Sequence, residues 1–109
     1  MPSSQDISSI ITREMNARLG HRLRKLILFG SMARKDGTPE SDFDCIAVID
    51  DLAPDVLDAI DDISGELLYE YNAVVAVIPL TEARYRSEKF NPLLINAARD
   101  GMVLWPKAG

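Results

Sequence analysis

The sequence predicts an α/β (α+β) domain, a small mixed β-sheet with helices packed on it. Three observations lead there. Two long stretches, 5–19 and 54–70, repeat apolar residues at steps of three and four, the period of a helix with one buried face. Short and nearly continuous apolar runs at 23–29, 42–49 and 73–78 have the length and β-branched content of buried strands. Their order is helix, strand, strand, helix, strand, helices, short strand. A ten-residue strand–strand connection followed by a strand–helix–strand unit mixes antiparallel with parallel pairing. At 109 residues and 12.1 kDa, one domain spanning 1–109 is expected.

The first helix carries Ile7, Ile10, Ile11, Met15 and Leu19 on one stripe, and Gly20 ends it. Leu23 to Phe29 forms a strand that stops abruptly at Gly30-Ser31. Ser31 is suited to cap a short helix through about Lys35, and Asp36-Gly37-Thr38-Pro39 has turn chemistry. The second strand follows over 42–49. Pro54 opens a helix whose apolar stripe is Val56, Leu57, Ile60, Ile63, Leu67 and Leu68. Ala73 to Ile78 is a third strand, with Pro79 barring its extension as a central one. Thr81 caps a short polar helix, a further helix runs from Pro92 to Asp100, and a short strand, Met102 to Trp105, closes the chain.

Charge is divided sharply along this order. The net value is −5, yet residues 36–70 hold twelve acids and no Lys or Arg, while twelve basic and five acidic residues lie outside them. So acidic a centre repels phosphate backbones, which argues against direct nucleic-acid binding. It suits a cation or a basic protein partner, although solvated helix faces account for most such carboxylates. No apolar run is long enough to cross a bilayer, the first residues lack an export signal, and a single cysteine forms no internal disulfide. A cytoplasmic protein that does not span a membrane is expected.

One constellation carries chemistry: Gly30-Ser31, ten residues, then Asp42-x-Asp44. Residues i and i+2 of a strand share a face, so the two aspartates project together and repel unless a cation lies between them. Mg²⁺ fits, since one or two carboxylates, waters and substrate phosphates satisfy it. Gly30 permits close backbone approach, and Ser31 opens a helix whose free amides attract phosphate. Arg34 is placed to contact a triphosphate or to pair with Asp36. Either half alone is a weak signal; the spacing and framework make the combination specific.

Leu28-Phe29-Gly30-Ser31-Met32-Ala33-Arg34 followed by Ser41-Asp42-Phe43-Asp44 resembles the GSx10DxD signature of minimal nucleotidyltransferase (MNT) domains in the DNA polymerase β-like superfamily. The likeness is strong over 27–49 and looser over 91–104. It implies the polymerase β-like nucleotidyltransferase fold. It also implies an NTP, ATP foremost, bound by Gly30, Ser31 and Arg34, and Mg²⁺ held by Asp42 and Asp44 as metal ligands and catalytic residues. Active relatives transfer a nucleoside monophosphate and release pyrophosphate, and many act as antitoxins paired with a HEPN-domain toxin. The implied third carboxylate on the third strand is missing: Ala76 stands at its position, and residues 72–80 contain no Asp or Glu. Lys35 stands where relatives often have glycine. The resemblance therefore leaves two functions, nucleotidyl transfer to a partner protein or an impaired antitoxin that neutralises a HEPN toxin by binding alone.

The remaining polar singletons point elsewhere. His21 has no second histidine and reads as a surface or cap residue, whereas Cys45 alternates away from Asp44 into the core.

Overall fold

The computed structural model describes residues 3–34 and 42–106, and for Ser31 and Arg34 the backbone alone. The order is α1 (Ser4–Leu19), a 3₁₀ turn (Gly20–Arg22), β1 (Leu23–Phe29), α2 (Ser31–Arg34), β2 (Phe43–Ile49), α3 (Pro54–Tyr71), β3 (Val75–Thr81), α4 (Glu82–Ser87), α5 (Pro92–Asp100) and β4 (Met102–Trp105). The strands form one mixed sheet in the order β3-β2-β1-β4. The β1–β2 and β1–β4 pairs are antiparallel, and β2–β3 is parallel with α3 as the crossover.

Strand alternation divides the core in two. Leu26, Leu28, Phe43, Cys45, Ala47, Ile49 and Val75 point to one face, where α1 and α3 lay down Ile7, Ile11, Met15, Leu19, Val56, Ile60, Ile63 and Leu67. Ile27, Ile46, Val48 and Leu80 point to the other, covered by Leu94 and Ala97 of α5. Fully burying side chains of this size is worth about 1.5–3 kcal/mol each, so the α1/α3 layer supplies most of the apolar stabilisation. Local chemistry sets the helix starts. Ser3 and Asp6 form a reciprocal capping box ahead of α1, and Asn91 accepts the Leu93 amide at 3.0 Å just before Pro92 opens α5.

The third strand departs from expectation. It begins at Val75 and continues through Pro79 to Thr81, where the sequence pattern ended it at Ile78. The Phe43 amide donates to the Val74 carbonyl at 2.9 Å, so the ladder to β2 uses the even-numbered residues of β3. The nitrogen of Pro79 then faces the free edge, where no ladder bond is lost.

Candidate nucleotide site

Asp44 is the second residue of β2, and the sheet flanks it on both sides. Its Cα partner in β1 is Phe29 and its partner in β3 is Ala76. Alternation turns Asp44 away from the α1/α3 core, while its neighbour Cys45 is fully buried within that core. Burial, with the Asp44 charge adding to it, pushes the Cys45 thiol up to about 12, so it stays protonated and unreactive at neutral pH.

Directly after Phe29 the chain turns at Gly30, whose φ of +77° lies in the region that disfavours side chains. A second constraint acts there. A Cβ on Gly30 would sit 2.9 Å from Asp44 Oδ2, closer than such contacts normally come. The glycine thus brings bare backbone against the carboxylate. The antiparallel register accounts for this: Phe29 opposite Asp44 places Gly30, the residue after β1, at the mouth of β2.

Asp42 is exposed one residue before β2 begins. The Asp44 carboxyl is held above the ordinary carboxylate range, first because it is partly withdrawn from water and second because the negative charge of Asp42 is near. Two carboxylates, one destabilised in its charged form, beside a backbone surface free of side chain, fit a divalent cation that shares its coordination with phosphate oxygens. Among the described residues no group of three or more His, Cys, Asp or Glu side chains is placed to hold a metal.

The two halves expected to converge, Gly30 and Asp44, do so. The side chains of Ser31 and Arg34, together with Lys35 and the turn at Asp36–Pro39, lie outside the described residues. Ala76 stands directly across from Asp44 and is exposed. Phe29 received no role from the sequence, yet it forms one flank of Asp44. Its signals were its position at the last residue of the apolar run and its place in the Leu28–Arg34 signature. A separate groove between α1 and α3, lined by Ile10, Glu14, Ile63, Glu66 and Tyr71 among others, lies on the opposite side of the sheet from Asp44.

Within a four-stranded mixed sheet, the turn after β1 thus abuts a carboxylate carried by β2. Residues 9–103 match the nucleotidyltransferase domain family, and the chain belongs to it. A candidate protein adenylyltransferase of Methanocaldococcus jannaschii is 34% identical over 84 residues, which cover 77% of this chain and 80% of that protein. Among solved structures, a toxin–antitoxin complex with AMP-PNP has a chain of similar fold, with a TM-score of 0.66 and 19% identity over 92% of this chain and 73% of that one. A Shewanella oneidensis complex of a tri-AMPylated HEPN toxin with its MNT antitoxin is similar at a TM-score of 0.63, again at 19% identity, over 96% of this chain and 74% of its match.

Proposed function

We propose that this domain binds a magnesium–nucleoside triphosphate, ATP foremost, where Gly30 and Ser31 meet Asp42 and Asp44, and transfers the nucleotidyl group to a HEPN-type partner protein. The observation that carries the reading is the closeness of Gly30 to Asp44, where a Cβ would lie 2.9 Å from Oδ2, so that bare backbone and a cation held by the carboxylate can share one phosphate. Asp42 and Asp44 would hold the ion, which when bound neutralises phosphate charge. Arg34, four residues beyond Gly30, is assigned to the phosphates. In the transfer an acceptor oxygen bonds to the α-phosphorus, the bond to the bridging oxygen breaks, pyrophosphate leaves and the acceptor proton passes to solvent. The AMP-PNP, the AMPylated toxin and the adenylyltransferase name among the similar proteins support this choice of substrate and partner. We place the protein in the cytoplasm; among the described residues no helix is long and apolar enough to cross a membrane.

A second reading rests on Ala76. A methyl group opposite Asp44 leaves residues 72–80, on and beside β3, without a carboxylate, and on this reading the protein neutralises its partner by binding alone. One experiment addresses both. Asp42→Asn with Asp44→Asn should weaken Mg-ATP binding by at least about tenfold in calorimetry while the fold persists, and unchanged affinity would refute the site. The wild-type chain is then incubated with Mg-ATP and the product of the adjoining reading frame. An intact mass heavier by one nucleotide supports transfer, and an unaltered partner that is still neutralised supports the binding-only reading.

A further inference from the structure

The α3 helix combines features that its own fold does not explain. It carries Asp55, Asp58, Asp61, Asp62, Glu66 and Glu70 and no basic residue. Five pairs stand at i,i+3 or i,i+4 along it: Asp55–Asp58, Asp58–Asp61, Asp58–Asp62, Asp62–Glu66 and Glu66–Glu70. Such like-charge pairs oppose the helix. Among the described residues, neighbouring elements relieve only its flanks, where Arg22 pairs with Asp55 at 3.0 Å and Arg18 pairs with Glu66. Among the described residues Asp58, Asp61 and Asp62 have no cation partner. The core-facing residues are Val56, Ile60, Ile63 and Leu67. At 100° per residue Gly65 falls directly opposite them, and nothing lies within 4 Å of a Cβ built there. A mid-helix glycine costs about 1 kcal/mol against alanine, and no contact among the described residues calls for one here. The residues that follow at i+3 and i+4 are Leu68 and Tyr69, 49% and 91% exposed.

We propose that this ridge is a docking surface for a basic amphipathic helix of the partner protein. The bare backbone at Gly65 lets a second helix approach closely. Leu68 and the Tyr69 ring receive its apolar stripe, and Asp58, Asp61 and Asp62 receive its Lys and Arg side chains, with a cation over the tyrosine ring as a further contact. Charge excludes two other occupants: a second copy of α3 would bring the same carboxylates together, and a nucleic acid would be repelled. The inference rests on the partner-protein part of the function proposed above and is independent of the nucleotide.

The probe is a fluorescent synthetic helical peptide with a Leu/Ala stripe flanked by Lys and Arg, titrated against the full chain. Saturable binding is expected, weakened at least about tenfold by Tyr69→Ala or by combined Lys replacement of Asp58, Asp61 and Asp62. Gly65→Ala gives the decisive contrast. It should raise the thermal midpoint by a few degrees, because alanine is the better helix former and has open space, yet weaken the peptide several-fold. A peptide affinity unchanged in Gly65→Ala and Tyr69→Ala would overturn the proposal. So would equal binding of a peptide of the same charge lacking the apolar stripe, or self-association of the chain through this ridge in sedimentation. If Asp42→Asn with Asp44→Asn leaves both Mg-ATP and peptide affinities intact, the nucleotide reading fails and the docking surface stands.

Discussion

At the scale of single residues, Asp44 is the most informative position, because its environment works against its charge. Burial and the neighbouring Asp42 raise its proton affinity in the folded chain, so the fold binds a proton there more tightly than the unfolded chain does. Stability is therefore lost as pH rises through the folded pKa and regained below the unfolded value of about 4. Asp44→Asn removes the titration. Chemical denaturation should find that variant more stable than wild type at neutral pH and equal to it in acid, with the difference shrinking when Mg²⁺ is added to wild type. A variant less stable at neutral pH would mean that the carboxylate is held by contacts rather than opposed by them. Asp50 has the opposite sign. Despite desolvation, its hydrogen bond from Arg22 Nε at 3.3 Å keeps its pKa below the usual range, so its contribution is lost as pH falls through that lowered value.

Among the elements, α5 shows how a residue can be legible for one role and hidden for another. Gly101 reads in the sequence as a helix stop, and its amide does close α5 by donating to the Ala97 carbonyl at 2.8 Å. Its second role is spatial: a Cβ there would collide with that same carbonyl oxygen and come within 3.0 Å of Ile27 Cγ2 on β1. The backbone is extended, so the obstacle is space and not conformation. Gly101→Ala should destabilise the domain by about 1–3 kcal/mol in denaturant unfolding, as overpacking does; a neutral result would show that α5 shifts freely on the sheet. Helix limits were legible because caps and apolar stripes are local, as with Thr81, whose side chain accepts the Arg84 amide at the start of α4. The end of β3 was not, because whether Pro79 stops a strand depends on which side of it another strand lies.

For the molecule as a whole, the decisive feature is register. Phe29, Asp44 and Ala76 form one row across β1, β2 and β3. A carboxylate placed at Ala76 would face Asp44 directly, and like charges opposite one another in a sheet destabilise it. Ala76→Asp should therefore lower the thermal midpoint without Mg²⁺, recover it when the ion is added, and increase nucleotide labelling of the partner. A recovered midpoint without any gain in labelling would show that the missing acid is not what limits transfer.

The sequence by itself determined the helices, the strands and the GSx10DxD spacing, because helical and strand periods, caps and turn residues act over a few residues. It also marked Ala76 as the place where an acid is absent. Only the tertiary structure decided that Gly30 abuts Asp44, that Ala76 faces it and that Asp61 and Asp62 beside Gly65 find no cation among the described residues. Strand register and helix rotation come from burying two apolar layers at once, a constraint spread over the whole chain and written in no single segment of it.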